Sequence, residues 1–179
     1  MDAASVDALH RYVTDAKVNI DLRALKENND VALLDNLFKP SDKELIVYRG
    51  IKQEHVVLEN AMYKDLGYFS SSKDLETALF KFTGQEGNTD GALFFLRVPQ
   101  NAPIIDVNSI PELNNDNLED EIILPRGSRF IVEKHEVYSK NPLSNRDKSI
   151  SYFESEYETG RIDFLNSLNV YHIKYLKDE

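Results

Sequence analysis

Residues 119–132 read EDEIILPRGSRFIV, and this stretch decides how the second half of the chain is expected to fold. Acidic residues precede the apolar run Ile122–Leu124, and a second run rich in β-branched and aromatic residues extends from Ser128 to Tyr138. Pro125 can occupy the second position of a turn and Gly127 the fourth. The stretch therefore predicts a β-hairpin with strands at 119–124 and 128–138.

Short strands are also predicted on both sides of this hairpin. Ser41 and Glu44 match a helix capping box, but the β-branched and aromatic residues that follow favour a strand. Ile150–Tyr157 is a candidate edge strand inside a polar stretch. The further predicted strands are Leu45–Tyr48, Gly67–Ser71, Ala92–Val98, Pro103–Val107 and Leu168–Leu176.

Helices are predicted mainly in the first part of the chain. Apolar residues recur at steps of three and four through residues 3–17, which indicates an amphipathic helix. The periodic stretch Leu22–Phe38 is interrupted at Asn28–Asp30 and is expected to form two short helices. A serine-rich start precedes helical spacing from Leu75 to Phe82, and a serine there is the expected N-cap. Helices and strands in separate stretches predict the α+β class.

The length of 179 residues is that of one domain, expected to span 1–179. Within it we distinguish a helical N-terminal region (1–40), a core that carries the motifs discussed below (44–138), a polar insert (139–161) and a last strand (168–177). A long irregular insert in a compact domain is usually functional or mobile.

Composition excludes several classes of function. Twenty-one Lys and Arg against thirty-one Asp and Glu give a net charge of −10, which disfavours nucleic acid and anionic membrane as partners. The absence of Cys excludes disulfides, thiolate nucleophiles and cysteine metal sites. Met1–Leu9 lacks the apolar core of a signal peptide, and the apolar runs are too short to cross a bilayer. We therefore expect a soluble protein.

Three local features carry candidate chemistry. In Tyr48-Arg49-Gly50, the guanidinium suits a phosphate or carboxylate, and the glycine allows a flat ligand to approach the backbone. Arg49 taken alone is more often a solvated surface residue. In Ser70-Ser71-Ser72, helix capping needs only one hydroxyl, and the others could orient a carboxylate.

The third feature is the pair Glu119 and Glu121. In an extended segment both side chains project to one face, about 6–7 Å apart along the chain, with Asp120 on the other face. Mutual repulsion can raise the pKa of one carboxyl, which lets an acid and a base coexist. An acidic loop leading into a strand is the simpler explanation of the same residues.

In this order, the three features resemble the arginine, serine and glutamate signature of the mono-ADP-ribosyltransferases of bacterial toxins and bacteriophages. The resemblance spans Val47–Phe130 and includes the strand Leu93–Val98 and the sequence LPRG after the glutamates. It implies an α+β fold in which N-terminal helices pack on two short facing sheets, with NAD in the cleft between them. It also implies NAD as co-substrate, with no metal.

The resemblance implies a role for each motif. Arg49 would hold the NAD phosphates, and the backbone of Gly50 would dock the nicotinamide amide. Ser70 would position the catalytic Glu121. The remaining members of the NAD-binding set would be Tyr48, Ser71, Ser72 and Phe82, with Phe80 as the alternative aromatic. Ser71 stands where the family usually has Thr, a change that keeps the hydroxyl.

Glu119 would determine the acceptor, because in this family a glutamate two residues before the catalytic one goes with arginine modification. Asp120 is expected to be a solvent-facing spacer, and Asn108–Leu118 would meet the protein substrate. The predicted activity is transfer of ADP-ribose from NAD to an arginine of a host protein, in the cytoplasm of the host or target cell. The acidic charge suggests a basic acceptor, for instance a nucleic-acid-binding protein.

Two rival functions remain open on the sequence alone: hydrolysis of NAD by the same residues, and a non-catalytic acidic interaction domain on the same fold. A nucleotide P-loop at Gly84–Gly91 is rejected because no Lys-Ser or Lys-Thr follows. The histidines share no ligand spacing, so a metal site is not predicted; they are His10, His55, His135 and His172.

Overall fold

The computed structural model describes residues 1–82, 89–113, 119–139 and 165–176. Most of the predicted polar insert (139–161), with the candidate edge strand Ile150–Tyr157, and the end of the segment Asn108–Leu118 lie outside these residues. The described helices are α1 (Ala3–Thr14), α2 (Lys17–Arg23), α3 (Val31–Asp35) and α4 (Leu75–Phe82).

The helix predicted over residues 3–17 is α1, which ends at Thr14, and Lys17 begins a second helix. Asp2 begins α1 by accepting a hydrogen bond from the Ser5 backbone N–H at 3.0 Å. At Asp15 the backbone becomes extended, and its carboxylate accepts from the Lys17 N–H at 2.9 Å, which starts α2. The boundary predicted at residue 17 was therefore wrong. The stretch Leu22–Phe38 contributes only the last two residues of α2 and the whole of α3.

The strands form one mixed sheet in the order β1-β7-β8-β5-β2-β6-β10-β9-β4-β3. The strands are β1 (Lys39–Pro40), β2 (Leu45–Lys52), β3 (Leu58–Glu59), β4 (Met62–Lys64), β5 (Phe69–Ser72), β6 (Thr89–Val98), β7 (Pro103–Asp106), β8 (Glu121–Leu124), β9 (Arg129–Ser139) and β10 (Leu165–Leu176). Short 3₁₀ turns at Gln53–His55 and Val107–Ser109 follow β2 and β7. The strand predicted to begin at Leu45, in preference to a helix capped by Ser41 and Glu44, is confirmed. The α+β class is confirmed as well.

The sheet has two halves that meet at one residue pair. β5 joins β2 only through Tyr48 and Ser72, whereas β2 pairs with β6 along its whole length. The core nevertheless unites the halves: Phe69 of β5 lies 4.6 Å from Phe130 of β9, measured between ring centroids. Where two short facing sheets were predicted from the sequence, the structure has one mixed sheet whose halves are joined at this single backbone pair.

The predicted hairpin is wrong, because β8 and β9 lie in different halves. β8 pairs with β5 and β7, and β9 pairs with β10 and β4. The connecting turn begins at Pro125, whose carbonyl accepts from the Ser128 N–H at 3.3 Å, and Gly127 is its third residue with φ of +74°. Turn residues fix a change of direction but do not specify which strand will be the partner.

The helices cover the sheet in two places. Apolar side chains of α1 and α3 pack against Tyr68, the residue before β5, and against Ile123 of β8. α4 packs on Leu93 of β6 and Val170 of β10. The first contact matters for the site, because it brings α1 and α2 alongside the strands that carry the predicted arginine, serine and glutamate motifs.

Candidate active site

The three sequence motifs converge where β2, β5 and β8 lie side by side. Tyr48 of β2 is paired with Ser72 of β5, and Ser72 is paired with Glu121 of β8. This register places Arg49, the three serines and Glu121 around one point, although they are separated by up to about seventy residues along the chain. The order of the strands, rather than local sequence, creates the cluster.

Glu121 and Ser70 are in direct contact. Glu121 is the first residue of β8 and is 6% exposed. The Ser70 hydroxyl donates a hydrogen bond to Glu121 Oε1. A carboxylate held from one side by a hydroxyl has a fixed orientation, which is what a group that stabilises a developing cation requires.

Arg49 is held close to this pair by a buried carboxylate. Its side chain is 13% exposed, its guanidinium carbon lies 4.5 Å from the centre of the Phe69 ring, and its Nη1 lies 3.1 Å from Asp65 Oδ2. Nη1 is buried, and its pairing with Asp65 lacks the geometry of a hydrogen bond. A guanidinium carries five N–H donors, so Arg49 can bind an anionic ligand while it stays paired with Asp65.

Asp65 and Arg23 complete the surroundings of Arg49, and the sequence did not point to either. Arg23 donates from Nε and Nη2 to the two oxygens of Asp65, at 2.9 and 2.8 Å, and the Gly67 N–H donates to Oδ1 at 3.0 Å. Burial alone would raise the pKa of the Asp65 carboxyl. The charge of Arg49 and the hydrogen bonds from Arg23 and Gly67 outweigh burial and hold that pKa below its ordinary value of 3.8.

Tyr12 is a third residue that the sequence did not point to. It was predicted only as part of the apolar stripe of the first helix, yet its buried hydroxyl accepts a hydrogen bond from Asn19 Nδ2 at 3.0 Å. Burial, together with the negative charge of Glu121, raises the pKa of this hydroxyl, while the charge of Arg49 opposes the rise. Helical periodicity cannot separate a tyrosine that fills the core from one that borders a site.

Ser71 and Ser72 connect β5 to residues on both sides of Glu121. The Ser71 hydroxyl is buried and donates to the carbonyl of Ile122 at 2.8 Å. The Ser72 hydroxyl donates to the carbonyl of Glu119 and accepts from the Asp74 N–H. The expectation that a serine caps α4 was wrong: Asp74 Oδ2 accepts from the Thr77 N–H at 3.0 Å, as an N-cap does.

Glu119 and Glu121 do not lie in one extended segment, which corrects the prediction of a shared face. β8 begins at Glu121, and Asp120 has φ of +49°. Asp120 is exposed, as expected, but its carboxylate accepts a hydrogen bond from Asn108 Nδ2 at 2.6 Å, so it is more than a spacer. The left-handed residue turns the chain between the two glutamates.

A cleft of about 370 Å³ opens beside this cluster. Its wall includes Glu119, and Ser70 connects it to the buried Glu121. A cleft of this size can hold part of a dinucleotide. The residues that line it are Tyr48, Arg49, Gly50, Ile51, Lys52, His55, Ser70, Ser71, Ser72 and Glu119.

The predicted aromatic at Phe82 ends α4, but its side chain lies outside the described residues. Phe80, the alternative, is half-buried and packs with the apolar cluster between α4 and β6. Across the described ranges, no three His, Asp or Glu side chains come together in a way that could hold a metal ion. In the same ranges, no helix is long and apolar enough to cross a membrane.

Comparison with known proteins adds an independent line of observation. A protein family described as ADP-ribosyltransferase exoenzyme matches residues 3–152, most of the chain. A search among curated protein sequences gave no significant match.

Solved structures of low sequence identity share the fold. Plx2a, an ADP-ribosyltransferase toxin from Paenibacillus larvae, superposes with a TM-score of 0.67 at 14% identity, covering 99% of this chain and 88% of that one. The C3 exoenzyme of Clostridium limosum gives 0.61 at 14% identity, with coverage of 98% and 86%. Exoenzyme S of Pseudomonas aeruginosa, solved with human 14-3-3 protein beta and Carba-NAD, gives 0.62 at 17% identity, with coverage of 97% and 74%.

Proposed function

Because this chain belongs to the ADP-ribosyltransferase exoenzyme family, we propose that it transfers ADP-ribose from NAD to arginine side chains of a host protein and releases nicotinamide. Membership of the family supports NAD-dependent ADP-ribosylation. Arginine as the acceptor, the host protein as the target and the role of each residue are the parts that we propose. We further propose that the enzyme acts in the cytoplasm of the host or target cell.

The observation that carries the proposal is the hydrogen bond from Ser70 to Glu121, formed at the edge of a cleft that Arg49 also lines. An oriented carboxylate and a guanidinium that lines the cleft suit the two ends of the reacting part of NAD. The carboxylate suits the ribose, where positive charge develops, and the guanidinium suits the diphosphate.

The proposed reaction begins at the glycosidic bond of NAD. The bond between ribose C1′ and the nicotinamide nitrogen breaks, and its electron pair leaves with nicotinamide. The resulting oxocarbenium cation resembles the one formed at a glycosidic bond, and Glu121 stabilises it, assisted by a hydrogen bond to the 2′-hydroxyl. Ser70 keeps the carboxylate of Glu121 in place, and Arg49 holds the phosphates.

Glu119 serves the acceptor. Its carboxylate pairs with the incoming guanidinium and takes up a proton as a guanidine nitrogen bonds to C1′. Its position in the cleft wall, outside β8, leaves the buried Glu121 to act on the ribose. Glutamate at this position is the feature that favours arginine over other acceptors.

The test uses labelled NAD and agmatine, a small guanidine, with nicotinamide release and labelled product both measured. Glu121→Gln should lower both by at least about a hundredfold, because it removes the charge that stabilises the cation. Glu119→Gln should lower transfer while some hydrolysis remains. Glu27→Gln, at an exposed position outside the cleft, is the matched control and should behave as wild type.

Three results would contradict the proposal in different ways. Hydrolysis of NAD without label on agmatine or on any arginine-bearing protein would favour an NAD hydrolase. Full activity of Glu121→Gln would remove that residue from the mechanism. Complete inactivity of the folded wild type on NAD would favour an interaction domain. Mass spectrometry of proteins modified in a host extract would identify the acceptor residue.

A further inference from the structure

The turn between the two glutamates is held more firmly than a spacer requires, and we propose that Asp120 is a positioning residue that directs Glu119 into the cleft. This inference rests on the proposed function, because it concerns the residue that would serve the arginine acceptor. It assigns Asp120, with Asn108 as its partner, a specific effect on transfer that it would not have on the breakage of the nicotinamide bond.

The backbone on both sides of the turn is fixed from β5. The Ser72 hydroxyl donates to the carbonyl of Glu119, and the Lys73 N–H donates to the carbonyl of Asp120 at 3.0 Å. Successive carbonyls are therefore bound by successive residues of the neighbouring strand end. The peptide after Glu119 has little freedom to rotate once these bonds form.

The side chain of Asp120 is fixed from β7. Asn108, in the 3₁₀ turn that follows β7, donates from Nδ2 to Asp120 Oδ1 at 2.6 Å. Lys73 Nζ reaches the Asp106 carboxylate at the end of β7, at 3.0 Å. These contacts close a ring through Asp106, Lys73, Asp120 and Asn108, which ties together the ends of two strands and the turn.

Asp120 also determines which way the Asn108 amide faces. An ionised carboxylate only accepts hydrogen bonds, so the NH₂ group of Asn108 must point to it. Asn108 Oδ1 is then buried with no hydrogen-bond donor among the described residues. The contact with Asp120 is thus kept although it leaves another polar atom unsatisfied, which indicates that the contact sets the geometry of this turn.

The φ of +49° at Asp120 is what separates the two carboxylates. In a continuous strand Glu119 and Glu121 would share a face, and both would compete for the same place. With a left-handed residue between them, Glu121 enters β8 and is buried against Ser70, while Glu119 lies in the cleft wall. Asp, Asn and Gly adopt this conformation readily, whereas a β-branched residue resists it.

The experiment compares Asp120→Val, Asp120→Gly, Asp120→Asn and Asn108→Ala with wild type, using agmatine transfer, NAD hydrolysis and the KM for NAD. Asp120→Val should lower kcat for transfer by roughly a hundredfold, because displacing a catalytic group by about 1 Å costs that much. Its hydrolysis rate and KM for NAD should change little. Asp120→Asn keeps both the left-handed preference and the acceptor oxygen, so it should restore transfer.

The other two variants separate the effect of the left-handed backbone at Asp120 from that of its side-chain hydrogen bond. Asp120→Gly keeps the conformation without the side-chain bond, and Asn108→Ala removes the partner, so both should lie between wild type and Asp120→Val. Equal loss of transfer and hydrolysis in Asp120→Val would overturn the inference, because Asp120 would then act on the whole site. Unchanged transfer would overturn it as well.

A failure of the proposed function gives a different pattern. If wild type hydrolyses NAD but never modifies agmatine, the arginine assignment fails, and crystal structures of wild type and Asp120→Val then decide the positioning. Displacement of the Glu119 carboxylate from the cleft in Asp120→Val, with Glu121 still bonded to Ser70, supports the inference. An unmoved Glu119 overturns it.

Discussion

Ser70 donates its hydroxyl hydrogen to Glu121, and the first prediction concerns this bond. Ser70→Ala should lower kcat for nicotinamide release by about tenfold to a hundredfold, since a displacement of about 1 Å in a catalytic group can cost about a hundredfold. The KM for NAD should change less, because Arg49 still holds the phosphates in the proposed mechanism. Steady-state kinetics of purified variants measure both quantities.

The control is Ser41→Ala, which removes a part-buried hydroxyl that donates to the Pro99 carbonyl at 3.0 Å, away from the cleft. It should leave kcat unchanged. If Ser70→Ala were as active as wild type, the proposed role of Ser70 as the residue that orients Glu121 would be lost.

The second prediction concerns the buried carboxylate of Asp65, which is 2% exposed and pairs with Arg23 and Arg49. Asp65→Asn should lower the free energy of unfolding at pH 7 by about 3–5 kcal/mol, because it leaves the buried guanidinium of Arg49 uncompensated. The pKa of Asp65 is lower in the folded protein than its ordinary value of 3.8, so its stabilising effect is present above pH 3.8 and is lost as the pH falls below it.

Urea unfolding of wild type and Asp65→Asn from pH 7 to pH 2.5 tests this, and the difference between them should shrink only below about pH 4. Asp30→Asn is the matched control. Its carboxylate also binds an arginine, Arg11, but the arginine is exposed, so the loss should be about 1 kcal/mol or less. A difference for Asp65→Asn that stayed constant with pH would contradict the assignment.

At the scale of single elements, α4 provides the third prediction. Asp74→Ala removes the bond from Asp74 Oδ2 to the Thr77 N–H and should lower the free energy of unfolding by about 1 kcal/mol. Asp7→Ala, which removes an exposed carboxylate from the middle of α1, is the control and should cost less. Thermal unfolding followed by circular dichroism measures both; no effect of Asp74→Ala would contradict the capping role.

The elements also show which features of the fold the sequence could predict. The long strands β2, β6 and β10 and the helix α4 were predicted within a few residues, because their apolar periodicity is local. The pairing of β8 was mispredicted as a hairpin with β9, because partner choice depends on the core that Phe69 and Phe130 share. The pairing of strands that are far apart in the sequence cannot be predicted from local residue patterns.

Some residues of the candidate site could also be identified from the sequence, and others could not. Arg49, Ser70 and Glu121 belong to short motifs whose order along the chain is distinctive, so the sequence could single them out. Asp65 and Tyr12 could not be found, because their importance comes from the bond of Asp65 to Arg23 and the proximity of Tyr12 to the charge of Glu121, which only the folded chain creates. The left-handed conformation of Asp120 was missed because many Asp residues in loops are simply extended.

At the scale of the whole molecule, the cleft depends on a sheet whose halves are joined weakly along the backbone and strongly through the core. The backbone joint between β2 and β5 is the single pair Tyr48 and Ser72. Across the core, the Phe69 ring packs against Phe130 and Phe94, at centroid distances of 4.6 and 6.2 Å. Side-chain packing therefore fixes the angle between the halves, and with it the distance from Arg49 to Glu121.

The fourth prediction follows from this shared core: the chain should unfold as one cooperative unit, as expected for the single domain proposed from its length. In urea, far-UV circular dichroism, which follows the backbone, and tyrosine fluorescence should give coincident transitions. Phe69→Ala should shift both by the same amount, at a cost of about 3–5 kcal/mol, because it opens a cavity between the halves. Separate transitions, or a Phe69→Ala shift confined to one probe, would show that the halves fold independently. The site that spans them would then be assembled only by ligand or partner.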